Sequence, residues 1–241
     1  MQTAVPVVAS NLSILFNNTE ERVQYDTSRM RSFVIYVPID ESEKSAARCI
    51  KSAANFQINV ELFRGVTPED HPERLAEELN IPTANFREKY SRYENCLSAF
   101  LSHRRLWEWC AHNNEEVLIF EHDAVVTDPI PDVPYRGVLS YGHPSYGKWV
   151  TPPTLGVNKL VSKQYLPGAH AYRVKPEAAK VLLETAKTHA GPTDLYIRNE
   201  LFDFVEEYYP WPVVVRETFS TIQNETGCQA KHGYGEGYQL L

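Results

Sequence analysis

The chain has 241 residues but only four cysteines, Cys49, Cys96, Cys110 and Cys228, and no two of them form a Cys-x-x-Cys pair. Their scatter argues against a disulfide framework and for reduced thiols in a cytosol-like compartment. Long apolar runs are missing too, and no stretch is long enough to span a bilayer. Residues 1–10 are mildly apolar but lack a basic segment, so they do not read as a signal peptide. There is no excess of positive charge: 24 Lys and Arg face 31 Asp and Glu, a formal net charge of -7. That excludes a broad basic footprint for nucleic acid and leaves room only for a local groove. Internal repeats and low-complexity tracts are also absent.

The chain is rich in core-forming and aromatic residues. The hydrophobic fraction is 43%, and the aromatics include 14 Tyr and 4 Trp, enough for one large domain. The run Phe33-Val34-Ile35-Tyr36-Val37, ended by Pro38, predicts a first strand. A helix follows over 41–55, with Ala46, Ala47, Ile50 and Ala54 on one face. Val60 to Phe63 predicts a second strand, stopped by Gly65, and Thr67 can cap a helix over 68–79. Strand, helix, strand, helix in this order indicates an α/β sheet with crossover helices.

The next helix is the most clearly marked. Ser91 and Glu94 form a Ser-x-x-Glu capping-box pattern. Cys96, Ala99, Phe100, Leu106, Trp107 and Cys110 then recur on one face, which also holds His103. Val117-Leu118-Ile119-Phe120 predicts a short buried strand, and Glu121-His122-Asp123 follows it directly. At a strand end in an α/β protein, two acids can hold a divalent cation against a phosphorylated ligand.

Residues 128–168 are crowded with Pro, Gly, Tyr and Trp, with one short strand predicted at 138–140. This segment is either an acceptor-binding surface or lid, or an ordinary aromatic connection. Residues 168–174 predict a strand, and Pro176 opens a helix to about Lys187. Thr193 can cap a further helix over 194–207, and Val213-Val214-Val215 predicts a final strand. The organisation expected is an N-terminal extension over 1–31, a domain over 32–226 and a glycine-containing tail over 227–241.

The order of these pieces resembles glycosyltransferase family 25, the lipopolysaccharide and collagen-type galactosyltransferase group, over roughly residues 33–225. The matching elements are Val37-Pro38-Ile39-Asp40 with Arg48, Leu101-Ser102-His103 with Leu106-Trp107, and Glu121-His122-Asp123. They continue through Gly168-Ala169-His170-Ala171-Tyr172, Pro192-Thr193-Asp194 and Ser220-Thr221-Ile222. The chain departs from the family pattern in three places. Glu-His-Asp stands for Glu-Asp-Asp, Ala-Phe stands for Gly-Cys before Leu-Ser-His, and Pro-Ile stands for the opening Asn-Leu.

The resemblance implies a GT-A-like (Rossmann-like) mixed sheet flanked by helices, with a loop-rich acceptor region. It implies an inverting, metal-dependent transfer of a hexose from a UDP-sugar to a hydroxyl, with a glycan as acceptor; the scattered cysteines point to a cytoplasmic location. A divalent cation held by carboxylates stabilises a diphosphate leaving group, and hard oxygen ligands suit Mn²⁺ or Mg²⁺. Asp123 is the expected ligand, with Glu121 beside the metal or the ribose and His122 in a packing or hydrogen-bonding role. Ile39, Asp40, Arg64, Gly65 and Ser220 are the donor-contact positions. His103 is either a satisfied core histidine or an organiser of the strand end, and Ser102 reads in the same two ways. Asp194 is the first choice for the base that deprotonates the acceptor, or simply a first-turn acid; Glu200 and His170 follow it. Two other functions remain open at this point. One is transfer to a modified base in DNA, and the other is a non-catalytic module binding a glycan or a protein.

Overall fold

The computed structural model describes residues 31–87, 92–144 and 147–216. The elements are β1 (Arg31–Tyr36), α1 (Asp40–Ala54), β2 (Val60–Arg64), α2 (Pro72–Glu78), α3 (Tyr93–Asn113), β3 (Val117–Glu121), β4 (Ala124–Val126) and β5 (Val138–Ser140). They continue with β6 (Gly156–Lys159), β7 (Ala171–Val174), α4 (Pro176–His189), α5 (Thr193–Tyr196), β8 (Val205–Tyr209) and β9 (Val213–Val215). Seven strands form one mixed sheet in the order β2-β1-β3-β7-β5-β8-β6, and β4 pairs with β9 in a separate ribbon. β1 runs parallel to β2 and β3, β7 runs antiparallel to β3 and β5, and β5 runs parallel to β8. The carboxyl ends of β1, β2, β3, β5 and β8 therefore share one edge of the molecule.

β3 is buried on both faces, which is why it reads as a continuous apolar run. Its alternate side chains feed two separate cores. Val117 and Ile119 join the cluster beneath α3 and α4, with Phe100, Leu106, Trp107 and Tyr196. Leu118 and Phe120 join the cluster beneath α1 and β4, with Val34, Ala46 and Cys49. Each fully buried side chain of this kind contributes about 1.5–3 kcal/mol. The α/β class and the mixed sheet flanked by helices agree with the sequence reading.

Three local expectations are corrected. Instead of one helix over 68–79, a 3-10 turn at Pro68–Asp70 is followed by His71 at φ 55 and then α2. Pro72 lacks the N–H a continuous helix would use, so the chain restarts there. The helix expected over 194–207 ends after one turn, and Val205–Tyr209 is a strand between β5 and β6. Val213–Val215 is a strand as expected, and it pairs with β4 outside the main sheet. The aromatic segment holds a second strand, β6, in addition to the one expected. α3 starts from Arg92, and Ser91 of the expected capping box lies outside the described residues.

Candidate functional site

From β1 the chain crosses to β2 on one side, while β3 flanks β1 on the other. The strand order reverses at this point, and in open α/β sheets the crevice at such a reversal takes the ligand. Glu121 ends β3 there, and His122 and Asp123 form the tight turn into β4. A side-chain bond joins the two sides of the crevice. The Oγ of buried Ser42, in the first turn of α1, lies 2.5 Å from His122 Nδ1. The same Oγ accepts the Val37 N–H at 3.0 Å, so it also fixes the end of β1.

Behind Glu121 runs a buried chain of polar groups. Trp107 Nε1 donates to Tyr172 Oη at 2.9 Å, Tyr172 Oη lies 2.9 Å from His103 Nδ1, and His103 Nε2 lies 3.1 Å from Glu121 Oε1. An indole can only donate, so Tyr172 accepts from Trp107 and gives its own proton to His103 Nδ1. That leaves the His103 Nε2–H to donate to the carboxylate, and every member is satisfied. Burial holds the Tyr172 phenol well above its ordinary pKa, which keeps that proton in place. Burial pushes the Glu121 carboxyl up. The hydrogen bond from His103 opposes this, and the group is held below the usual carboxylate range.

His170 lies on the other side of Glu121, and its carbonyl accepts the Glu121 N–H at 3.1 Å. The ring is 1% exposed, and burial pushes its pKa down to about 4. It occupies a slot between two glycines. A Cβ on Gly142 would fall 2.4 Å from His170 Nε2, and one on Gly168 would fall 2.3 Å from Nδ1. Only glycine admits the ring at either wall. Gly142→Ala is therefore expected to cost about 1–3 kcal/mol by overpacking, read as a lowered urea midpoint. An unchanged midpoint would mean that the ring has room to move aside.

Ser102 donates from Oγ to Ser98 O at 2.7 Å and accepts the Val66 N–H at 2.8 Å, fixing the loop after β2 to α3. In that loop Gly65 N–H bonds Tyr36 O at 2.7 Å, which aligns the ends of β1 and β2. Arg64 turns to Asp70, with Nη1 3.0 Å from Oδ2. Ile39 is exposed, and exposed Asp40 pairs with Lys44 on α1. The first turn of α1 carries Asp40, Glu41 and Glu43, so this helix end, although it faces the crevice, repels an anion rather than holding one. Asp194 opens α5 and accepts the Leu195 N–H at 2.9 Å; its charge is felt by half-buried Lys163. Glu200 pairs with Arg198 in solvent. Ser220 lies outside the described residues.

Among the described residues no three His, Cys, Asp or Glu side chains converge into a self-contained metal cage. Glu121 and Asp123 supply two hard oxygen donors at one turn. That set suits a cation that completes its shell with substrate phosphates and water. On the far side of the turn, burial and the Asp123 carboxylate push the Cys49 thiol up to about 12, and burial does the same for Cys110. Cys49, Cys96 and Cys110 are buried, and none of them is in a disulfide. Iodoacetamide at mildly alkaline pH is expected to leave Cys49 and Cys110 unmodified in the native protein and to label both in denaturant. Peptide mass mapping checks this, and native labelling at a free-thiol rate would contradict their burial.

Sequence reasoning missed Ser42, because an unremarkable first-turn serine acquires its role only when His122 arrives from 80 residues away. It missed Glu207 as well. This carboxylate is fully buried, and its Oε1 accepts the N–H groups of Val161 and Ser162, both at 2.7 Å. Tyr172 was visible only as part of a motif, without a role.

Comparison with curated proteins gives no match. Several solved structures are similar to the chain at low identity. A Drosophila beta-1,4-galactosyltransferase 7 mutant, in complex with manganese, UDP-Gal and xylobiose, has 10% identity and a TM-score of 0.33. The alignment covers 64% of this chain and 52% of that one, so the chain spans about half its length. A glycosyltransferase involved in glycosylation of the major capsid of PBCV-1 has 11% identity and a TM-score of 0.41, covering 79% of this chain and 94% of that one. Mouse xyloside xylosyltransferase 1, in its apo form, has 10% identity and a TM-score of 0.34, covering 69% and 79%. Residues 34–133, which hold His103 and the whole Glu121-His122-Asp123 turn, match the family model of glycosyltransferase family 25 (LPS biosynthesis protein).

Proposed function

We propose that the protein is an inverting hexosyltransferase that moves a sugar from a UDP-sugar to a hydroxyl of a glycan. The observation that carries this reading is the Glu121 carboxylate at the β1–β3 reversal, held by His103 from a fully bonded buried chain. The family match over residues 34–133 supports the same reaction class. Asp123 and Glu121 are the residues proposed to hold Mn²⁺ or Mg²⁺, which would supply Lewis-acid stabilisation of the departing diphosphate. The acidic first turn of α1 supports a cation-mediated contact with phosphate over a direct one. His103 keeps one oxygen of Glu121 fixed, so the carboxylate needs little reorganisation when ligand arrives. Asp194 is proposed to accept the acceptor proton. Buried thiols outside any disulfide fit a cytosolic setting, and among the described residues no helix is long and apolar enough to cross a membrane.

Isothermal titration with UDP, with and without Mn²⁺, followed by a donor-hydrolysis screen over nucleotide sugars, tests the proposal. Metal-dependent UDP binding together with hydrolysis of one donor is the expected result. UDP binding that ignores the metal, or none at all, would favour a non-catalytic binding module.

A further inference from the structure

The five parallel strands also bring a cluster of aromatic rings to the edge that carries Glu121. His143 follows β5, Trp211 follows β8, and Trp149 lies in the segment between β5 and β6. The His143 ring meets Trp149 at 5.4 Å and 76° and Trp211 at 5.1 Å and 79°; Tyr209 meets Trp211 at 5.0 Å and 80°. Edge-to-face contacts of this kind hold rings at right angles without covering all their faces. Trp149 remains 40% exposed, and His143 and Trp211 are partly exposed. The cluster is continuous with the candidate site. His143 follows Gly142, which forms one wall of the His170 slot, and His170 O holds the Glu121 N–H.

The rings are also held in advance of any ligand. Glu207 Oε2 accepts from Trp211 Nε1 at 3.2 Å, while its Oε1 accepts from Val161 and Ser162. Ser162 O in turn accepts the Val150 N–H at 3.0 Å, beside Trp149. One buried carboxylate thus clasps both segments that carry the tryptophans. The His143 N–H is fixed on Val213 O at 2.8 Å. A pyranose has an apolar face of C–H groups and a rim of hydroxyls, and a fixed, partly exposed aromatic wall beside a polar crevice complements that shape. Holding the wall in place beforehand removes ordering cost from binding.

We infer that Trp149, His143 and Trp211 form a stacking platform for a pyranose ring of the acceptor, with Glu207 as its positioning residue. The inference rests on the transferase reading for the word acceptor, but not for the binding of sugar. The test is tryptophan fluorescence titration of the full chain with methyl β-D-glucopyranoside, methyl β-D-galactopyranoside and lactose, alongside UDP calorimetry with Mn²⁺. Saturable quenching by at least one pyranoside is expected. It should weaken at least about tenfold in Trp149→Ala and about threefold in Glu207→Gln, with UDP affinity unchanged in both. Trp149 is exposed, so its variant keeps the fold, which circular dichroism checks. No saturable response to any of the three sugars would overturn the platform. So would full binding in Trp149→Ala, or loss of UDP and sugar binding together in that variant. Sugar binding by a protein that binds no UDP would uphold the platform and remove the transferase reading.

Discussion

Asp123→Ala is expected to lower UDP-sugar turnover by about a hundredfold to a thousandfold, the scale of losing a charge that acts on the leaving group. Asp123 is half-buried in the two-residue turn between β3 and β4. Its carbonyl accepts the Arg216 N–H at 3.3 Å, and alanine keeps that bond. That backbone bond survives the substitution, and circular dichroism separates a loss of chemistry from a loss of fold. Circular dichroism should remain that of the parent, and the Mn²⁺-dependent part of UDP binding should vanish from the calorimetric trace. Full turnover in Asp123→Ala would remove this residue from the site and shift attention to Glu121 alone.

Mild acid is expected to weaken the fold through His170. Its pKa is about 4 in the folded chain against an ordinary value of 6.5, because burial disfavours the charged ring. A depressed folded pKa means that the unfolded chain takes up a proton the folded chain refuses. Stability is complete above the ordinary value and is lost as pH falls from there towards 4. Linkage gives a loss of about 2 kcal/mol between pH 7 and pH 5, and about 3 kcal/mol once pH 4 is reached. Glu121 does not confuse the upper part of this window, because its folded pKa lies below the carboxylate range. Urea titrations at pH 7 and pH 5 check the effect, with His170→Asn as the comparison. The parent should lose stability across the interval and the variant should lose much less. Equal losses in both would assign the acid sensitivity elsewhere.

The elements with local signals were readable before the structure. β3 announces itself as an apolar run because both its faces are covered, and α3 does so through its recurrent apolar face. The position of Glu121 at a strand end followed from the same run. The errors came where a distant partner decides the conformation. Leu201, Phe202 and Val205 have a helix-like spacing, yet β5 and β6 leave a place between them that only a strand fills. Glu207 then sits at a fully buried position that no local rule assigns to a carboxylate, because its donors lie at 161, 162 and 211. The same holds for Ser42, whose partner is on another strand turn. The sequence run placed Glu121 at the strand end, while the bonds that orient it depend on tertiary pairing.

The His170 ring has a mechanical consequence. Its edges press on Gly142 and Gly168, while its main chain carries the amide of Glu121. A displacement of the segment beginning at Gly142 cannot be absorbed inside a slot this tight, so it travels through the imidazole to the end of β3. The aromatic wall and the carboxylate turn are thus arranged as two arms of one lever with its fulcrum at residue 170. A shift at either end of this contact is passed to the other through the ring.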